Sequence, residues 1–349
     1  MAGNAWSKGL SWLYEPDPGQ NDLDETDVRV RPNPKGNKPR TKKRPEYTEA
    51  PVGLVLGVDV GRYRVLLDGE DRIVNATMGK ELRKSGAVVG DRVALAGDTS
   101  ETEGALARVV RIEPRTSLLR RSADDSDQVE RVIVANATQM VIVVAIANPE
   151  PRTLAAAYDA GLKPILVITK TDLANPDDFL ANFAGLSIPV VLNRSDKPAL
   201  PQLRDLLAEQ TSVFVGHSGV GKSTLVNSLA PHAMRATGGV NVVTGRGRHT
   251  SSSVRAIRLD ESFDGGWIID TPGVRSFGLG HVKPENLLRS FEDLYQVIET
   301  CPRDCSHAID APDCALDDAI EAGTLGASGA ARVDSLRRLI LSIANNATE

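Results

Sequence analysis

The chain of 349 residues has three cysteines, and all of them lie between 301 and 314. That excludes a disulfide framework spread through the fold and points to a reducing compartment. Long apolar runs are also lacking. The longest, Met140 to Ala147, is far short of the roughly 20 residues a membrane-crossing helix needs. No basic-then-apolar signal pattern opens the sequence. The expectation is a cytoplasmic protein with no membrane partner. Charge of one sign does not dominate either, and a net charge of −5 excludes a global nucleic-acid signature. What is present is a 41% hydrophobic fraction, enough for real cores, on a chain long enough for two or three domains.

Charge is nevertheless uneven. Six acidic and no basic residues lie between Glu15 and Asp27, followed by eight basic and no acidic residues between Arg29 and Arg44. With its Pro, Gly and charge, the segment 1–50 reads as a disordered charged N-terminal tail. It is either an interaction tail or a solvated leader. Trp6, Trp12, Leu13 and Tyr14 are its apolar exceptions.

Residues 51–118 read as five short strands: Val52 to Val58, Arg62 to Leu67, Arg72 to Ala76, Asp91 to Ala96 and Ala105 to Ile112. Gly61, Asp68-Gly69 and Gly90-Asp91 punctuate them. Such spacing suits an OB-fold barrel that could bind RNA. An SH3-like barrel or an open meander has the same strand count. Residues 119–281 change character. Val141 to Ala145, Pro164 to Ile168, Val190 to Leu192, Val213 to Val215 and Trp267 to Ile269 are apolar runs suited to buried parallel strands. They alternate with helical stretches, as in a doubly wound α/β sheet. Ser253 to Leu259 and Trp267 to Ile269 read as a hairpin across Asp264-Gly265-Gly266. Residues 282–349 read as a helical domain, closed by an amphipathic helix over Arg332 to Ala344.

Chemistry concentrates in five places. Gly216-His217-Ser218-Gly219-Val220-Gly221-Lys222-Ser223 fits G-x-x-x-x-G-K-[ST], between a strand and a helix that also takes in Thr224. Its glycines let N–H groups surround phosphate oxygens, and the helix N-terminus adds partial positive charge. Lys222 reaches the β- and γ-phosphates, and the Ser223 hydroxyl suits Mg²⁺. Asp270-Thr271-Pro272-Gly273 follows a strand, so that Asp270 can hold Mg²⁺ and the Gly273 N–H can face a γ-phosphate. Gly245-Arg246-Gly247-Arg248-His249-Thr250 lies between them. There Thr250 is a candidate to complete the Mg²⁺ shell and His249 to orient the attacking water. The residue after Gly273 is Val274, which cannot orient water.

Thr169-Lys170-Thr171-Asp172 looks like the guanine-reading N-K-x-D motif, with Thr in place of Asn. The Asp172 carboxylate can accept from guanine N1 and N2, a pair that adenine does not offer. This motif precedes the phosphate loop, whereas ordinary GTPases have the reverse order. The chain therefore reads as a P-loop GTPase domain that is circularly permuted. Cys301, Cys305, His307 and Cys314 form C-x3-C-x-H-x6-C, a donor set that matches one closed, structural tetrahedral Zn²⁺ site per chain.

Taken together these segments resemble the RsgA family of circularly permuted, small-subunit-dependent bacterial GTPases, over roughly 51–345. The likeness is carried by Gly216–Thr224, Gly245–Thr250, Asp270–Gly273, the late Cys/His cluster and Pro114-Arg115 through Arg120. The resemblance implies an OB-fold, a permuted GTPase domain and a small helical zinc-binding domain. It implies GTP hydrolysis to GDP and phosphate, stimulated by the small (30S) ribosomal subunit during late assembly and 16S rRNA maturation, by a monomer. It also implies a catalytic role for His249, alongside Lys222. Three departures are visible: Thr169, a cluster spacing that differs on each side of Cys305–His307, and Asn193-Arg194 where the family carries a Ser-Ala guanine loop. A GTP-sensing RNA-binding module, in which turnover only resets binding, is the alternative reading.

Overall fold

The computed structural model describes residues 47–344, except 84–85, 101, 103, 123–129, 147–150, 178–179, 181–187, 195, 233–252, 273–283 and 290. The charged tail over 1–46 lies outside the described residues. Among the described residues no helix is long and apolar enough to cross a membrane.

The first five strands are β1 (Val52–Asp59), β2 (Arg62–Leu67), β3 (Ile73–Met78), β4 (Arg92–Gly97) and β5 (Ala107–Ile112). Their bounds fall within two residues of the sequence expectation, because period-two alternation and glycine turns mark them. Tyr63, Val65, Leu67, Val74, Val93 and Val109 point into one buried core. Strand count alone left three folds open, and the pairing decides among them. β1 pairs antiparallel with β2 and also with β4, β4 with β5 antiparallel, and β5 with β3 in parallel. That closes a barrel in the order β1-β2-β3-β5-β4, as in an OB-fold. Gly53 permits the closure, since a Cβ there would sit 2.4 Å from the Leu66 carbonyl oxygen.

A hairpin that sequence reading did not foresee, β6 (Leu118–Ser122) with β7 (Glu130–Ala135), follows the barrel. The second sheet contains β8 (Gln139–Ala145), β9 (Lys163–Thr169), β10 (Val190–Leu192), β11 (Thr211–Val215), β12 (Arg255–Arg258) and β13 (Trp267–Asp270). Its order is β10-β9-β8-β11-β13-β12, parallel except for the antiparallel β12–β13 hairpin. The barrel joins this sheet at its edge, where β1 pairs with β12 at Gly57 and Arg255. Both faces of the parallel strands are covered, which is why they read as unbroken apolar runs. On one face Val141, Ile165 and Phe214 pack on α2 (Leu200–Leu207) and α3 (Lys222–Leu229). On the other, Met140, Ile142, Leu166 and Ile168 pack on α1 (Pro151–Asp159).

Four further helices complete the described fold: α4 (Pro284–Arg289), α5 (Glu292–Ile298), α6 (Ala315–Glu321) and α7 (Gly329–Ala344). Leu287, Phe291, Leu294, Leu316, Val333 and Leu336 share one core cluster with Leu154 and Leu166. The C-terminal helices therefore pack on α1 without a core boundary between them. Tyr158 and Phe291 meet with ring centroids 5.6 Å apart, and Asn286 Nδ2 donates to Asp159 Oδ1 at 2.9 Å. Burial pushes the Tyr158 phenol up to about 12.

The segment that leaves the barrel after β5 is tied back to it by an ion pair. Asp91 is fully buried and accepts from Arg115 Nε and Nη2, both at 2.7 Å, and from the Val88 N–H at 2.7 Å. Arg115 also donates to the Gly86 carbonyl at 3.0 Å. Its pKa is raised above the ordinary value, chiefly by the hydrogen bond to Asp91. Beside it, Asn136 Nδ2 donates to the Gly90 carbonyl at 2.9 Å. Gly90 has φ +90°, and a Cβ there would lie 2.0 Å from the Ala135 carbonyl oxygen, so only glycine fits.

Candidate nucleotide and metal sites

The phosphate loop begins where β11 ends. At Gly216 a Cβ would stand 2.4 Å from the Val143 carbonyl oxygen, so glycine lets the loop leave close beside β8. Gly219 and Gly221 have φ of +83° and +92°, which turn the chain back onto α3. Gly221 occupies the N-cap position of α3, and no side chain caps that end. The first N–H groups of the helix are thus free of a side-chain acceptor and face the loop's mouth, as anion binding requires. Around this turn His217 and Val220 are half-buried, while Ser218, Gly219, Ser223 and Thr224 are exposed. Lys222 is 7% exposed, and its ammonium donates to Asp270 Oδ1.

Asp270 reaches that position because β13 lies beside β11, with Asp270 in register with Phe214. The next residue locks the strand end: Thr271 is buried and its hydroxyl donates to the Phe214 carbonyl at 2.6 Å. Ser223 and Asp270 therefore flank Lys222 with a hydroxyl and a carboxylate, hard oxygen donors that fit Mg²⁺. Gly273, His249 and Thr250 lie outside the described residues.

The Thr169-Lys170-Thr171-Asp172 segment stands at the end of β9. The Thr169 hydroxyl lies 3.1 Å from the Val144 carbonyl oxygen and 2.5 Å from that of Val220, inside the phosphate loop. This buried hydroxyl links the two motifs directly. Lys170 has φ +57° and swings the chain outward to Thr171 and Asp172. Thr171 Oγ1 donates to the Asn193 carbonyl at 3.4 Å, and Asp172 is exposed. The Asn193 side chain has a framework role, accepting the Ala199 N–H at 3.1 Å ahead of α2. Arg194 pairs with Asp196, and these carboxylates, Asp196 first and Asp172 after it, hold its pKa up.

The third cluster lies in the turn-rich stretch between α5 and α6. One ligand atom each from Cys301, Cys305, His307 and Cys314 lies within 4.8 Å of the others. His307 Nδ1 is 3.9 Å from Cys314 Sγ, and both residues are buried. Three sulfurs and one imidazole nitrogen drawn together, with no fifth donor in the group among the described residues, fit a four-coordinate structural zinc. Burial pushes the Cys301 thiol up to about 11 and pulls the His307 imidazole down. Zinc binding must therefore expel the Cys301 thiol proton, whereas burial already favours the neutral, ligating imidazole of His307. Sequence reading found these donors but not Arg337, which reaches them from α7. It also missed the Asp91–Arg115 clamp. Neither has a local signal, since each joins residues distant in sequence.

Comparison with known proteins agrees with this geometry. The family model for the RsgA GTPase matches residues 112–280. The small ribosomal subunit biogenesis GTPase RsgA of Nitrosospira multiformis is 35% identical over 325 residues, covering 88% of this chain and 96% of that protein. Its namesake from Bordetella pertussis is 38% identical over 260 residues, covering 70% of this chain and 82% of that one. The crystal structure of YjeQ from Thermotoga maritima superposes with a TM-score of 0.61 at 23% identity, covering 84% of this chain and 98% of that one. YloQ, described as a circularly permuted GTPase, does so with a TM-score of 0.59 at 24% identity, covering 87% and 98%. At these identities the two structures speak for the fold, and the sequence relatives for the family. With its base reader ahead of its phosphate loop and both at one edge of the sheet, the chain belongs to the RsgA GTPase family.

Proposed function

We propose that this GTPase acts in biogenesis of the small ribosomal subunit, hydrolysing GTP to GDP and phosphate when the subunit stimulates it. The observation that carries the reading is the Thr169–Val220 contact, which joins the guanine-reading turn to the phosphate loop in one pocket. In that pocket Asp172 selects guanine, and the loop N–H groups with Lys222 hold the phosphates. The Gly273 N–H would face the γ-phosphate. Ser223, Thr250 and Asp270 would hold Mg²⁺. The bound ion would neutralise charge on the β- and γ-phosphate oxygens. His249 orients the attacking water, a task the Val274 side chain cannot perform.

Two features support a mechanical output. The barrel edge pairs with β12, and β12 leads through β13 to Asp270. The cluster-bearing helices share a core with α1 and the parallel strands. Nucleotide contacts thus bear on elements that adjoin both flanking modules, which we take to bind 16S rRNA. The protein works as a cytoplasmic monomer. The test is the GTP hydrolysis rate with and without purified small subunits. Stimulation of at least tenfold is expected, and equal rates overturn the proposal. Val274 also favours a second reading, a GTP-sensing RNA-binding module whose turnover only resets it. A His249→Ala variant that stays on the subunit with GTP supports catalysis-driven release. Release at the normal rate supports the sensing module.

A further inference from the structure

The Cys/His cluster is held from outside by a single side chain of α7. Arg337 is 12% exposed at its side chain and makes contacts in two directions. Its Nε donates to the His307 carbonyl at 3.1 Å. Its two terminal nitrogens donate to the two Asp317 carboxylate oxygens at 2.9 and 2.7 Å, a bidentate fork. Arg337 therefore touches one candidate zinc ligand, His307, and the first turn of the helix that follows Cys314.

Each contact answers a need of the site. His307 has φ +55°, a left-handed backbone for a residue with a side chain. A donor on its carbonyl holds that peptide and so sets the direction of the imidazole. Asp317 lies in the first turn of α6, three residues after Cys314, so the bidentate fork ties the backbone that carries that sulfur to α7.

We infer that Arg337 is a positioning residue for the zinc site, fixing the His307 backbone and, through Asp317, the start of the helix that follows Cys314. The inference rests on the zinc reading of the cluster, and the experiment separates the two. Zinc affinity is measured by chelator competition on the full chain, and Co²⁺ replaces zinc to report sulfur-to-metal charge-transfer absorption. Arg337→Met is expected to bind one zinc about 10- to 100-fold more weakly, the usual scale for such supporting partners. Its charge-transfer band should shift. Arg337→Lys, which keeps the charge without the fork, should recover part of the affinity. Melting temperatures should differ between wild type and variant with zinc and converge with chelator, whereas a mere packing role lowers both alike. Should Arg337→Met fold poorly, Arg337→Gln carries the same competition and spectrum. Wild-type affinity and an unshifted band in these variants overturn the inference alone. A wild-type chain that takes up neither metal overturns the zinc reading with it.

Discussion

Thr169 places its hydroxyl 2.5 Å from the Val220 carbonyl oxygen, although 51 residues separate them and the base reader comes first. The cause is strand order. β9 and β11 flank β8 in parallel, so their carboxyl ends emerge at the same edge of the sheet. Ligands of open α/β sheets bind at that edge. Connectivity can be cut and rejoined elsewhere without moving it.

The first prediction concerns that hydroxyl. Thr169→Val keeps the shape but removes the only donor it offers to the Val144 and Val220 carbonyls. An unsatisfied buried acceptor costs about 1–3 kcal/mol. GDP affinity should fall about 5- to 100-fold in a fluorescent-nucleotide titration, with Thr169→Asn retaining wild-type binding or better. Unchanged affinity in the valine variant would show that the contact does not shape the pocket.

Nucleotide choice should follow Asp172. Guanine offers two N–H donors to a carboxylate, whereas xanthine carries a carbonyl where guanine has its amino group. Asp172→Asn should therefore weaken GTP binding by at least about tenfold, the scale of a lost charged hydrogen bond. It should improve binding of xanthosine triphosphate. A competition assay that finds the two nucleotides ranked as in wild type places the guanine reader elsewhere.

Removing a buried charge partner should cost far more than removing an exposed one. Asp91 is fully buried, and its loss leaves the half-buried Arg115 guanidinium with the Gly86 carbonyl as its remaining partner in that clamp. Asp91→Ala should destabilise by about 3–5 kcal/mol. Asp68 pairs with Arg92 where both side chains are more than 40% exposed, so Asp68→Ala should cost no more than about 1 kcal/mol. Urea unfolding followed by circular dichroism compares the two, and similar midpoints would contradict the clamp.

Metal removal should act beyond the cluster. Cys314 and Leu316 lie in the core that also holds α1 and the parallel strands. A high-affinity zinc chelator should lower the melting temperature by several degrees, and one equivalent of zinc should be released. The shift is expected because binding N but not U stabilises by RT ln(1 + [L]/Kd). Cys314→Ser should reproduce the shift without chelator. Elemental analysis that finds no zinc in purified protein would remove the basis of this prediction.

The elements most legible in the sequence were those with local rules. Alternation and glycine turns marked β1 to β5, and unbroken apolar runs marked β8, β9 and β11. Residue chemistry at fixed spacing marked the phosphate loop and the zinc donors. The β6–β7 hairpin escaped, because Leu118–Ser122 and Glu130–Ala135 carry Arg and Glu among their apolar residues and blur the alternation. Asn193 stands where the family carries a Ser-Ala guanine loop, and its amide oxygen accepts the Ala199 N–H. Only the path of the chain after β10 shows that.

What the amino-acid order determined by itself was chemistry. Gly219 and Gly221 supply backbone freedom, Lys222 and Asp172 supply charge, and Cys301, Cys305, His307 and Cys314 supply soft donors. The tertiary structure decided who meets whom. It chose the OB closure over other barrels through the parallel β3–β5 pairing, and it set Asp270 against Lys222. It also brought Arg337 from the last helix onto His307. These meetings depend on strand order and helix packing, which are long-range outcomes of burying apolar surface and leave no periodic trace along the chain.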